Sequence, residues 1–220
     1  MLTTLRSLAA ALLISAPGAQ ACETALVLAM DVSNSIDPAE YRLQAHGLAD
    51  ALADPEIAEI LVRDQVALAV LQWSGEDRQQ VTIGWAVMLS ASHVAQFAEA
   101  ARSMERAFVL SDTAPAPALH RALDLFGSAP DCRRRVVDVS GDGTPNAGGS
   151  TGAASRRAES MGVTVNGLAI EAPGKSVAVT NFYTRRLITR DGFVLTSRGH
   201  RAYPETIRKK ILREISRIVS

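Results

Sequence analysis

Hydrophobic positions along this chain fall into two kinds of run: short, almost unbroken apolar stretches, and longer stretches in which apolar residues return every three or four positions. The first kind occupies 24–30, 66–73, 136–139 and 163–170. Unbroken apolar strands are covered on both faces, as in a parallel sheet flanked by helices. Between them lie helical patterns. Asp37 and Pro38 open one, as a cap followed by proline at the first helical position, and it runs to about Leu52 through Tyr41, Leu43 and Leu48. Ser92 is read as the cap of a helix carrying Val94, Phe97, Ala101 and Met104, and Thr113 to Phe126 as the next. Gly148 to Thr151 leads a helix to Met161, and a basic amphipathic helix spans Pro204 to Val219. The turn Gly75-Glu76-Asp77-Arg78 folds the second strand back into 80–85, an antiparallel edge strand. Glu171 to Thr189 is the least regular part, with Pro173-Gly174 and Asn181-Phe182-Tyr183, and Gly192 to Thr196 reads as a last strand. Alternating strands and helices predict an α/β fold, doubly wound, with a mostly parallel central sheet, one antiparallel edge strand and helices on both faces. No internal repeat or low-complexity segment interrupts it.

Length and charge narrow the field. Residues 1–21 read as a signal peptide: Arg6 supplies the positive start, Leu8 to Ala16 a short apolar region, and Ala19-Gln20-Ala21 a small-x-small cleavage site. Residues 22–220 then form one domain of ordinary size, expected in the periplasm or secreted. No apolar run approaches the roughly 20 residues of a membrane span. The precursor has 23 basic and 23 acidic residues, and losing Arg6 leaves one net negative charge, so nothing favours nucleic acid or anionic lipid.

The chemistry gathers at strand ends. The first apolar run stops in Asp31-Val32-Ser33-Asn34-Ser35, one carboxylate and two hydroxyls at alternate positions, with Asn34 expected to turn the chain through left-handed backbone. Thr113 stands just before a helix, and Asp142 follows the strand around Val136 to Val139. In open parallel sheets ligands collect outside the carboxyl ends of the strands, where all three loops would meet. Hard oxygen donors suit Mg²⁺, or Mn²⁺ and Ca²⁺, rather than Zn²⁺ or copper.

The set Asp31-x-Ser33-x-Ser35, Thr113 and Asp142-Gly143 resembles the metal-ion-dependent adhesion site of von Willebrand factor type A domains. The resemblance spans roughly Cys22 to Ile218, and the chain also resembles secreted bacterial single-domain proteins of unknown function (DUF1194-like). It implies direct ligation by Ser33 and Ser35, ligation by Thr113 directly or through water, and contact by Asp31 and Asp142 largely through water. It also implies a function: metal-mediated binding of a protein partner that presents an Asp or Glu carboxylate, by a module monomeric on its own. The loop before Thr113 departs from the family pattern, reading Leu110-Ser111-Asp112 where glycine is usual, and Asp112 adds a carboxylate near the ion. With the strands ordered as in this fold, Cys22 and Cys132 lie at one end of the sheet, nine and ten positions before Asp31 and Asp142. A disulfide between them suits an oxidising compartment. Acylation of Cys22 is the competing reading, weakened by Ala19 where lipoprotein signals favour leucine.

Plainer roles account for other polar residues. Asp37 is a helix cap. Asp138, inside a strand, needs a buried partner such as an arginine. His46, His93, His120 and His200 are scattered over different elements and read as surface or packing residues. Arg133-Arg134-Arg135 solvates the start of a strand, and Arg208, Lys209, Lys210, Arg213 and Arg217 form the solvated face of the last helix. A hydrolase using the same ion to activate water, or a protein that holds the metal only for stability, are the alternatives. No base or nucleophile converges with the acids in sequence, which favours the binding module.

Overall fold

The computed structural model describes residues 22–172 and 178–216; the expected signal peptide, Pro173-Gly174 and the expected helical residues 217–219 lie outside them. The first apolar run becomes β1 (Cys22–Asp31), every residue of which is buried. The other strands are β2 (Ala67–Trp73), β3 (Gln79–Val87), β4 (Cys132–Gly141), β5 (Val163–Glu171) and β6 (Val194–Arg198). They form a six-stranded sheet in the order β3-β2-β1-β4-β5-β6. All neighbours are parallel except β3, which returns antiparallel along β2 with a register irregularity near Val70. The hairpin strand is half-buried, as an edge position allows.

Helices α1 (Pro38–Leu52), α2 (Pro55–Arg63), α3 (Ala91–Ser103) and α7 (Tyr203–Ile215) cover one face. The other is covered by α4 (Pro115–Leu125), α5 (Thr151–Ser160) and the short α6 (Ala178–Phe182), which continues as a π-helical turn, Tyr183–Leu187. Side-chain alternation in β1 sorts the core. Leu26, Leu28 and Met30 pack with Leu48, Leu52, Ile57, Phe97, Ile207 and Ile211. Ala25, Val27 and Ala29 pack with Leu119, Leu123, Ala154 and Tyr183. Each large aliphatic side chain so buried contributes about 1.5–3 kcal/mol.

Asp37 caps α1 through a capping box with Glu40, and Pro38 opens the helix as expected. The same Asp-Pro signal at Asp54-Pro55 opens α2, a helix the periodicity did not show because it is only nine residues long. Ser90, two positions before Ser92, caps α3 by accepting from His93 N. In the part of the irregular stretch that is described, Tyr183 and Leu187 are fully buried.

Asp138 has a buried partner, but it is Lys210 rather than an arginine: Lys210 Nζ lies 2.7 Å from Asp138 Oδ1 and also binds Glu214 Oε1. Lys210 therefore leaves the solvated face and is itself fully buried. Asn166 donates to Glu214 Oε1 at 2.9 Å, closing a polar cluster between α7, β4 and β5. At the far end of the sheet Cys22 and Cys132 are register partners on β1 and β4. They are joined by a disulfide, with Cα atoms 4.5 Å apart. Of the arginine run, Arg133 pairs with Glu23 and Arg134 donates to the Glu214 carbonyl at 3.1 Å, so it ties the start of β4 to β1 and α7 as well as solvating it.

Candidate metal centre

Parallel register puts the carboxyl ends of β1 and β4 side by side, with Met30 opposite Ser140. Beyond Asp31 the chain stays beside β2, with Val32 N donating to Trp73 O at 2.9 Å, and then turns. The turn is made by hydrogen bonds: Ser33 N donates to Asp31 Oδ1 at 2.7 Å and Ile36 N to Ser33 O at 3.1 Å. Asn34 does not adopt the left-handed conformation expected of it; among the described non-glycine residues Gln65 and Leu110 do, the latter at φ 50°.

Two neighbouring loops are fastened to this turn. Asn34 N donates to Ser111 O at 3.0 Å, and Arg106 Nη2 donates to the carbonyls of Val32 and Ser33 at 2.9 and 2.8 Å. Thr113 N donates to Asn146 Oδ1 at 2.8 Å and Asn146 N to Thr113 O at 3.1 Å, which locks the Thr113 loop to the one following Asp142.

The five predicted side chains meet in one group. Thr113 Oγ1 donates to Ser33 Oγ at 3.1 Å, Ser33 Oγ lies 3.2 Å from Ser35 Oγ, and Ser35 Oγ donates to Asp142 Oδ1 at 2.5 Å. Asp31 joins through its bond from Ser33 N. Asp31 and Ser33 are fully buried, Thr113 nearly so, and Ser35 is exposed, so the group opens to solvent at the Ser35 side. Asp112 stays apart: it is exposed and borders a separate depression with Glu76 and Arg78.

The donor set fits a hard divalent cation. Three hydroxyls and two carboxylates converge, and Asp31 Oδ2 is buried with no hydrogen-bond partner. Burial, and then the charge of Asp142, push the Asp31 carboxyl up to about 7. Burial also raises Asp142, while its bond from Ser35 and the nearby His200 oppose that rise. Among the described residues no cluster of three or more His, Cys, Asp or Glu could hold a metal, and three of the five side chains gathered here are hydroxyls. Backbone closeness also matters: a Cβ on Gly141 would lie 2.7 Å from Tyr183 Oη and 2.8 Å from Asp31 Oδ2. Only glycine lets β4 pass this near.

His200, read from sequence as a surface or packing residue, lies beside this group. Its Nδ1 lies 3.0 Å from Glu40 Oε1 and its Nε2 4.0 Å from Asp142 Oδ2. The available signal was topological, because His200 follows β6 and the carboxyl ends of parallel strands share one edge. Tyr183, whose buried hydroxyl has no partner, came from the segment read as irregular.

Solved structures with this fold include a von Willebrand factor type A protein from Catenulispora acidiphila, 19% identical with a TM-score of 0.61 over 88% of this chain and 43% of that one. Proximal thread matrix protein 1 of the mussel byssus, in a structure with a zinc-occupied MIDAS motif, is 18% identical with a TM-score of 0.59, covering 89% of this chain and 46% of that one. The pilus adhesin SpaC of Lactobacillus rhamnosus GG is 13% identical with a TM-score of 0.64, covering 88% and 31%. This chain spans less than half the length of each. At such identities the likeness establishes the fold and nothing finer. Comparison with curated proteins returns no match. The model of the family described as Protein of unknown function (DUF1194) matches residues 21–219, so the chain belongs to that family, on a von Willebrand factor type A fold.

Proposed function

We propose that this chain is a divalent-metal-dependent protein-binding module of the adhesion type, working in the periplasm or outside the cell once residues 1–21 are removed. The observation that carries the reading is the group formed by Asp31, Ser33, Ser35, Thr113 and Asp142, with a buried, unpartnered Asp31 oxygen at its base. A bound Mg²⁺, Mn²⁺ or Ca²⁺ would supply an electrophilic position for one carboxylate oxygen of a partner. Ser33, Ser35 and Thr113 contribute neutral donors, which leave the site short of negative charge and receptive to that carboxylate. Asp31 and Asp142, fixed by Ser33 N and Ser35 Oγ, hold the charged side of the cradle.

Beside it the Thr113 loop exposes Val109 and Leu110, 61% and 84% accessible. Leu110 is held at positive φ, at a cost of order 1 kcal/mol, which keeps this apolar pair projecting where a partner's surface would meet it.

Calorimetry with Mg²⁺, Mn²⁺, Ca²⁺ and Zn²⁺ tests the centre; zinc belongs in the series because it occupies the site of the mussel protein. One of these ions should bind the native chain and fail to bind Asp31→Ala, whose circular dichroism should remain native. Unchanged binding in both Asp31→Ala and Asp142→Ala would overturn the assignment. Partners retrieved from a cell-envelope extract should be lost on adding chelator.

His200 favours one second reading, a metal-dependent hydrolase, because it sets an imidazole beside Asp142. Turnover of p-nitrophenyl phosphate or acetate that needs both the ion and His200 would support it.

A further inference from the structure

We infer that the cavity beside the metal centre takes a second acidic group of the same partner, so that the recognised element is a segment carrying two carboxylates. The inference rests on the metal-mediated reading above. The cavity holds about 540 Å³, shares Ser35 and Asp142 with the metal centre, and extends to Arg198, His200 and Arg201. A chain whose first carboxylate sits at Ser35 and Asp142 therefore runs directly into it.

The charges lining the cavity are not equivalent. Both oxygens of Glu40 are occupied, Oε2 by Asp37 N at 2.9 Å and Oε1 by His200 Nδ1 at 3.0 Å. Glu171 is buried and accepts from Thr180 N at 2.7 Å. The Arg198 and Arg201 side chains are exposed, and neither makes a hydrogen bond or ion pair with another described residue. His200 Nε2 is buried without a hydrogen-bond partner. Among the described residues, the acids of the wall are committed to the fold while its two arginine side chains are unengaged. A guanidinium presents a planar fork of donors that matches a carboxylate and grips it with two bonds. Leu43 and Ile170 add an apolar stretch of wall, suited to the methylenes of a glutamate.

The test uses blocked, fluorescently labelled Gly/Ser peptides that carry either one Glu or two Glu separated by one to four residues. Anisotropy titrations in saturating Mg²⁺ should find a two-Glu peptide that binds about tenfold tighter than the one-Glu peptide. The advantage should shrink at high salt, because the arginines are exposed, and vanish in Arg198→Gln/Arg201→Gln. Mg²⁺ affinity and circular dichroism of that variant should match the native protein. A charge-reversed pair, Arg198→Glu/Arg201→Glu, should bind the two-Glu peptide no better than the one-Glu peptide. Equal binding of both peptides to the native chain, or an advantage that persists in both variants, would overturn the inference and leave the metal centre standing. An advantage that survives chelator and Asp31→Ala would keep the cavity and refute the metal-mediated reading. Absence of binding by every peptide would refute both.

Discussion

Glu214→Gln offers a sharp test of the buried charges that hold α7 to the sheet. Lys210, Asp138 and Glu214 meet with side chains 0%, 2% and 0% exposed. One ammonium faces two carboxylates, so a neutral cluster keeps one proton. Burial, and to a lesser degree the charge of Asp138, push the Glu214 carboxyl from its ordinary 4.5 up to about 7, against the pull of Lys210 and Asn166. In the unfolded chain the same group titrates in its ordinary range. Between 4.5 and about 7 the folded state thus binds more protons than the unfolded one, so stability falls as pH rises through that window and stays low above it. A rise from 4.5 to about 7 corresponds to a loss of order 3 kcal/mol, shared by a cluster that titrates as a unit. Glutamine copies the protonated form and cannot lose a proton. Its amide adds a constant offset, whereas the pH-dependent part disappears. Urea unfolding at pH 5 and pH 8 with the disulfide intact should show the native protein losing about 2 kcal/mol or more relative to Glu214→Gln across that interval. Parallel pH profiles, agreeing within about 0.5 kcal/mol, would refute the reasoning. Lys210→Met is the complement: it strands two buried acids and should cost about 3–5 kcal/mol at pH 7, less at pH 5.

Replacing both Cys22 and Cys132 with serine opens a loop of sequence separation 110. Chain entropy puts the cost at about 4–5 kcal/mol, read by denaturant unfolding, and thiol titration of the native oxidised protein should find no free cysteine among the described residues. Gly141→Ala drives a Cβ against Tyr183 Oη and Asp31 Oδ2 and should destabilise by about 1–3 kcal/mol while weakening metal binding. Adding Tyr183→Phe should recover part of the stability, because one of the two contacts goes, and little of the binding. A Gly141→Ala protein with native melting temperature and metal affinity would show that the site has room to spare.

The parallel sheet was legible because its strands are covered on both faces and so read as nearly unbroken apolar runs, most clearly in β1 and β2. Helices opened by a polar cap and proline were legible too, as Asp37-Pro38 shows. What escaped was decided by tertiary packing. Nine residues of α2 are too few for periodicity to speak, although Asp54-Pro55 repeated a signal already used once. The stretch through Tyr183 has no local period, and it is ordered by burying one aromatic ring beneath β4 and β5. Lys210 sits in a run of cations that looks solvated, and Asp138 in the neighbouring strand together with Glu214 one turn on draws it inside.

The candidate metal centre divides along the same line. Asp31, Ser33, Ser35, Thr113 and Asp142 stood out because each lies at the carboxyl end of a strand or the start of a helix, where local pattern fixes position. Their supports did not stand out, because each acts across the fold. Arg106 reaches the Val32 and Ser33 carbonyls from more than 70 positions away. Asn146 clamps Thr113 from 33 positions away. His200 is held by Glu40 from the other end of the chain. A ligand set can be read from spacing when the strands that present it are themselves readable. The cavity that would choose a partner is assembled from α1, β5 and the turn after β6, elements that share no local signal, and its two free arginines become visible only when the acids around them are seen to be engaged elsewhere.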